Sequence, residues 1–313
     1  MYADTAPMLD GHPALSQLHL IDRNWKRQGL KRQTGAEWRL IRALRARHYD
    51  LVVHLSVHTR GAWLVRLLRP RWSVAPKFRP GFWEKSFTHL YPAQSHPDRH
   101  TVDTNLDSLR ALGIQPTPLD LRVTLVPGAA AEARVEQLLA ANGLAAGRFI
   151  HVHPASRWGF KCWPAERVAA LCDELAARGW PLVLTSAPDV KERELLAAVA
   201  AARRPGTVPA LDLSGQLTLK ELAALAARAR LFVGVDSAPM HIAAAMGTPT
   251  IGIFGPSGDR EWGPWGEGHR VVASLNHPCR PCGRAGCDDS KVSECLTTLP
   301  VSQVLAACAE LLA

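Results

Sequence analysis

No stretch of this sequence is both long and apolar enough to read as a membrane span. The nearest candidate, Ala238–Pro256, carries no formal charge, but Pro239, His241, Gly247 and Pro249 interrupt it, and its two halves read as a helix and a strand. The start, Met1-Tyr2-Ala3-Asp4, lacks a basic segment followed by an apolar run, so no secretory leader is expected. Internal repeats and low-complexity tracts are missing too, since the alanine-rich segments are ordinary helix formers. Seven cysteines, an odd number without a leader, suit a reducing compartment better than a disulfide framework. An RNA-binding aromatic motif, a zinc-finger spacing and a heptad-linked basic region are all lacking, which sets nucleic-acid binding aside.

What is present suits a globular chain of two domains: 313 residues, 47% hydrophobic and 21% charged. Residues 1–124 hold 19 Lys/Arg against 10 Asp/Glu and residues 125–313 hold 18 against 18, so the whole net charge of +9 lies in the first part. That excess is either a solvated basic surface or a face that meets an anionic partner, such as a lipid headgroup surface or a phosphorylated acceptor.

From Phe149 onward, short apolar runs alternate with helical stretches. Strands are expected at Phe149–His153, Pro181–Thr185, Ala210–Leu213, Leu231–Val235, Thr250–Phe254 and Arg270–Ala273. Helices are expected at Ala165–Arg178, Val190–Ala202, Leu219–Arg228 (with Thr218 as N-cap) and Pro239–Met246. Continuously apolar strands between helices predict an α/β fold with a parallel sheet covered on both faces. The earlier part alternates less clearly. Leu18–Ile21 and Leu51–Leu55 read as strands, Gly35–Arg47 as a helix with Trp38, Ile41 and Leu44 inward, residues 76–100 as a long loop, and Thr101–Leu112 as a helix. Pro116, Pro118, Pro127 and Gly128 mark a connection. The expected division is a first domain over 1–124, a linker region over 125–146 and a second domain over 147–313.

Four constellations carry potential chemistry. His151–Pro164 follows a strand and precedes a helix, with small residues Ala155 and Ser156 and a cation, Lys161, in the loop; loops at the C-terminal ends of parallel strands are where such sheets bind ligands. Val233–Pro249 ends a strand at Asp236-Ser237 and opens a helix at Ala238-Pro239, with His241 near its first turn. Unpaired N–H groups and the helix dipole make that tip suitable for a diphosphate. The plain alternatives are a solvated lysine, an N-cap aspartate and a half-buried histidine. Gly252–Trp265 either lines a ligand cleft or turns the chain. Cys279, Cys282, Cys287 and Cys295 are numerous enough to hold zinc, but they match no finger spacing closely, and packed thiols closing a loop are the favoured reading.

Together these segments resemble the ADP-heptose:lipopolysaccharide heptosyltransferases, glycosyltransferase family 9, and are most similar to the heptosyltransferase III type. The carriers are His-Pro-Ala-Ser…Lys-x-Trp-Pro at 153–164, Asp-Ser-x-x-x-His at 236–241, Gly-Thr-Pro-Thr at 247–250, Phe-Gly-Pro at 254–256 and Cys-x-Pro-Cys…Cys…Cys-Leu at 279–296. Tyr49–Val53 and Asn105–Ile114 add to them in the first part. The resemblance implies a GT-B fold, two Rossmann-like domains facing a cleft. The second would hold ADP-heptose and the first the core oligosaccharide of lipopolysaccharide. It implies inverting, metal-independent transfer without a cofactor, by a cytoplasmic enzyme in peripheral contact with the anionic inner leaflet of the inner membrane. Donor-binding positions carried over are Ser156, Lys161, Asp236, Ser237, Ala238 and His241, with Glu192 as the candidate for a nucleoside-contacting glutamate. Lys161 takes the role of stabilising the leaving diphosphate.

Relatives also begin with a strand and a Gly-Asp loop whose aspartate deprotonates the acceptor hydroxyl. No counterpart is visible here, and Asp4 and Asp10 sit elsewhere in the pattern. The expectation is an incomplete first domain short of one strand–helix unit, roughly 30 residues or more, with its general base unassigned. A missing base costs about 10²–10⁴ in rate. The alternative function is therefore a catalytically impaired nucleotide-sugar-binding remnant.

Overall fold

The computed structural model describes residues 1–27, 29–92 and 98–313. The chain divides into two compact units, Met1–Arg122 and Val123–Ala313.

In the first unit, helix α1 (Leu30–Arg45) leads to strand β1 (Leu51–Val53), helix α2 (Thr59–Leu68), strands β2 (Trp72–Pro76) and β3 (His89–Tyr91) and helix α3 (Thr101–Arg110). The three strands form a parallel sheet in the order β1-β2-β3. Three local readings of the sequence change here. Trp38, expected inward, is 68% exposed, because the buried stripe of α1 runs through Ala36 and Leu40 one turn apart. Leu18–Ile21 forms no strand and makes only a single parallel bridge, Ile21 to Tyr2. The expected loop over 76–100 contains β3, anchored by Trp83, whose indole donates to the Pro76 carbonyl at 2.9 Å and is buried with Phe87. Residues 93–97 of that stretch lie outside the described residues.

The second unit opens with helix α4 (Ala129–Ala141). Gly128, at φ 88°, turns the chain into this helix inside the stretch expected as linker. Strand β4 (Ile150–His153), helix α5 (Ala165–Ala177), strand β5 (Leu182–Leu184), helix α6 (Val190–Ala202), strand β6 (Leu211–Asp212), helix α7 (Leu219–Arg228), strand β7 (Leu231–Val235), helix α8 (Ala238–Ala245) and strand β8 (Thr250–Phe254) follow. A short helix α9 (Asp259–Trp262), strand β9 (Arg270–Ala273) and helices α10 (Glu294–Thr297) and α11 (Val301–Leu312) complete the unit. All six strands are parallel, in the order β6-β5-β4-β7-β8-β9. The order reverses between β4 and β7, and this is the doubly wound topology whose ligands sit beyond the strand ends at the switch point.

Alternating side chains divide the core. Ile150, Val152, Val233, Val235, Ile251 and Ile253 meet α5, α6 and α11 on one face. Phe149 and Val183 meet α4 and α7 on the other, where Phe232 and Phe254 pack on Met240 of α8. Helix α7 begins with the N-cap read from the sequence. The Glu221 N–H donates to Thr218 Oγ1 at 3.2 Å and the Thr218 N–H to the Glu221 carboxylate at 2.7 Å. Thr218→Ala is expected to cost about 1 kcal/mol, read as a lowered urea midpoint at unchanged slope.

Candidate functional site

Two loops meet at the switch point. The first leaves β4 after His153 and runs through Pro154, Ala155 and Ser156 into a tight helical turn, Gly159–Lys161, before Pro164 opens α5. Its far end is fixed by Trp163, almost fully buried, whose indole N–H donates to the Leu299 carbonyl at 3.2 Å. Its middle is held by Ser293, whose hydroxyl donates to the Phe160 carbonyl at 2.6 Å. Lys161 is thus carried on a short turn pinned on both sides.

The second loop is the junction from β7 into α8. Ser237 is the N-cap residue but its side chain does not cap: the hydroxyl turns back to the Val235 carbonyl at 3.3 Å. Pro239 occupies the first turn, where its missing N–H costs nothing. At the other end Gly247, at φ 76°, stops the helix where the sequence placed its end. An ion pair joins the two loops, Lys161 Nζ to Asp236 Oδ2 at 2.6 Å, with the lysine side chain 24% exposed and the aspartate 8%. Ser156 and Lys161 share the first loop; Asp236, Ser237, Ala238 and the half-buried His241 share the second.

Glu192 lies in the first turn of α6, 8% exposed, and its carboxylate accepts the Ala187 N–H at 2.9 Å. Its charge is felt at Cys162. Burial pushes that thiol up to about 11, a bond to the Ser156 carbonyl offsets part of the rise, and Glu192 adds to it. Glu192 therefore borders the first loop. Gly234 of β7 faces His153 across the ladder, and a side chain there has no room: a Cβ would lie 2.6 Å from the Phe232 ring and 2.9 Å from the His153 carbonyl.

The turn after β8 is governed by packing. A Cβ on Gly255 would sit 2.6 Å from Leu296, and the Gly255 carbonyl accepts from Arg280 Nε at 2.6 Å. The cysteine-rich segment closes over this turn, the Gly283 N–H donating to the Pro256 carbonyl at 2.9 Å. All seven cysteines are free thiols. No group of three or more His, Cys, Asp or Glu among the described residues is placed to hold a metal ion. Cys279 and Cys282 are exposed, Cys287 is half-buried and Cys295 is buried.

In the first unit, several cations are already paired. Arg99 and Arg110 each bond both Asp103 and Asp107 at 2.5–2.9 Å, and Arg60 bonds Glu37 at 2.6 Å. A pocket of about 360 Å³ lined by Asp50, Leu51, Trp72 and His89 opens at the N-terminal ends of β1–β3, the end of a parallel sheet that ordinarily binds no ligand. No helix among the described residues is long and apolar enough to cross a membrane.

Two parallel-sheet α/β units of this kind make up the GT-B class of glycosyltransferases, and solved members match. The family 9 glycosyltransferase of Veillonella parvula superposes with a TM-score of 0.82 at 20% identity, over 99% of this chain and 86% of that one. The Escherichia coli heptosyltransferase WaaC with ADP-2-deoxy-2-fluoro heptose gives 0.70 at 20% identity, over 99% and 88%. The chain belongs to glycosyltransferase family 9 (heptosyltransferase), whose family model matches residues 37–293. It is 35% identical over 315 aligned positions to lipopolysaccharide heptosyltransferase 3 of Escherichia coli K12, covering all of this chain and 88% of that protein.

Proposed function

We propose that this glycosyltransferase moves heptose from ADP-heptose to the inner core of lipopolysaccharide, inverting the anomeric centre by direct displacement. The observation that carries the reading is the Lys161–Asp236 pair, which sets an ammonium beside the uncapped tip of α8 at the switch point. Breaking a glycosyl–diphosphate bond places new negative charge on the departing nucleotide. Preorganised cations and helix N–H groups stabilise such charge without a metal. Lys161 takes the diphosphate oxygens, Asp236 aims the lysine, and the backbone at Ser237 and Ala238 adds N–H donors. Ser156 and His241 complete the grip, and Glu192 turns its remaining oxygen to the nucleoside. The relatives support the donor and acceptor: one is a lipopolysaccharide heptosyltransferase and another was solved with an ADP-sugar. The basic excess of residues 1–124 suits an acidic, phosphorylated core and peripheral contact with an anionic leaflet on the cytoplasmic side, each exposed Lys/Arg adding about 1 kcal/mol near such a surface.

The test combines calorimetry with ADP and a transfer assay with ADP-heptose and deacylated core, with and without EDTA. Saturable ADP binding and EDTA-resistant transfer giving inverted product are expected. A folded sample that gives no heat with ADP would end the donor-site assignment. Product of retained configuration would end the displacement mechanism.

A further inference from the structure

Beneath the first loop lies a polar group that the mechanism above does not use. His151 and His153 both point to the α8 face of β4, and both are buried, at 0% and 4% exposure. Between them stands Thr185, just past β5. Its Oγ1 is 2.7 Å from His151 Nε2 and 2.8 Å from His153 Nδ1. Burial lowers both imidazoles, His153 to about 3 and His151 well below its ordinary value with help from its neighbour, so both are neutral at physiological pH.

The hydrogens of this chain can be counted. A hydroxyl carries one, so it donates to one ring and must accept from the other. If His153 donated from Nδ1, the threonine would donate to His151 Nε2, and the His151 proton would sit on Nδ1. That atom is sealed from solvent and has no partner. A buried N–H without an acceptor is the rarest kind of orphan. In the other order His151 Nε2–H donates to Thr185, Thr185 donates to His153 Nδ1, and only a bare lone pair is left unpaired on His151. This second order puts the remaining His153 proton on Nε2. That nitrogen, unlike His151 Nδ1, is not among the sealed orphans. It lies at the C-terminal end of β4, paired in register with Gly234 of β7.

We propose that His153 is a donor-site residue whose Nε2–H is held as a neutral hydrogen-bond donor to a diphosphate oxygen of the bound nucleotide, with Thr185 and His151 as positioning residues that fix its proton. The inference rests on the nucleotide-sugar reading of the site. It gives a role to two histidines and a threonine buried together in one hydrogen-bonded chain: a ligand that is all acceptor needs a donor whose proton never moves to the wrong nitrogen.

The experiment is ¹⁵N NMR of the histidine rings of the full chain during ADP titration, with calorimetry on variants. In the wild-type protein His153 is expected as the Nε2–H tautomer, and its Nε2 resonance is expected to move on adding ADP. Thr185→Val should release the tautomer and weaken ADP binding about 3–10-fold, with a larger effect on donor KM than on kcat. His153→Phe should weaken ADP binding about 10-fold or more. An Nδ1–H tautomer in the wild-type protein, or an Nε2 signal indifferent to bound ADP, overturns the inference and needs no variant to fold. If the wild-type chain binds ADP and a folded His153→Phe protein binds it equally, this inference alone fails. If the wild-type chain binds no ADP, the nucleotide-sugar reading fails first and the inference with it.

Discussion

Lys161→Ala is expected to lower kcat by about 10²–10³-fold at saturating donor, the usual cost of removing one preorganised charge-stabilising group. The effect should fall on kcat more than on KM, because the charge on the leaving diphosphate grows only as the glycosyl bond breaks. The substitution also strands Asp236, which at 8% exposure has its carboxylate matched by Lys161 at 2.6 Å. An unpaired carboxylate at that position repels the incoming diphosphate, so some loss of donor affinity should accompany the loss of rate. Asp236→Asn separates the two effects: the charge repulsion disappears, but the lysine loses its aim, and a smaller fall in kcat follows. Near-normal turnover of Lys161→Ala would remove the lysine from the mechanism.

The largest expected effect on stability belongs to a residue that has no part in the proposed mechanism. Asp173, in α5, is 1% exposed. It accepts from Arg203 Nε at 2.8 Å and from the Arg204 N–H at 2.8 Å, so it ties α5 to the end of α6. Arg203 is itself nearly buried, with 9% of its side chain exposed. Removing one partner of such a pair leaves the other charge buried and unmatched, which costs about 3–5 kcal/mol. Asp173→Ala should therefore lower the unfolding free energy of the second unit by that amount, read as a fall in the chemical denaturation midpoint at unchanged slope. Burial alone would push the Asp173 carboxyl up, but the Arg204 N–H and the Arg203 guanidinium outweigh it and hold it below its ordinary value. A carboxyl lowered in the folded state stabilises fully above its unfolded pKa, about 3.9, and the contribution is lost as pH falls through the lower folded value. Stability of the wild-type protein should thus drop below about pH 4, and the Asp173→Ala protein should lack that component. A wild-type-like midpoint in Asp173→Ala would rule the role out.

The second unit was the more legible in the sequence because its strands are buried on both faces. Leu231–Val235 and Thr250–Phe254 are uninterrupted apolar runs bounded by Asp236-Ser237 and Gly255-Pro256, and the structure keeps those bounds. The same reasoning overshot at β6, which pairs over only Leu211–Asp212. In the first unit the signal was weaker. Strand β3 is three residues inside a stretch of Pro, Phe and His, and only the burial of Trp83 and Phe87 around it reveals a core. Trp38 misled because its size suggested the inside, while α1 buries the smaller Ala36 and Leu40. The site was visible as two separate loops. Nothing in residue spacing says that Lys161 reaches Asp236, 75 positions away, because that contact exists only once the order β4-β7 is set. Thr185 carried no signal, as one threonine at the end of a strand resembles any other. Its role rests on the two rings on either side of it.

The segment from Ser293 to Leu299 has an effect out of proportion to its seven residues. Ser293 fastens Phe160, Leu296 fills the space beneath Gly255, and the Leu299 carbonyl receives Trp163, so three bolts for two loops come from a part of the chain more than 130 positions downstream of the lysine turn. A single proteolytic nick between Cys287 and Ser293 would leave every strand of the sheet in place and still loosen the turn that carries the ammonium. Such damage would silence the enzyme while circular dichroism and gel filtration reported a healthy preparation.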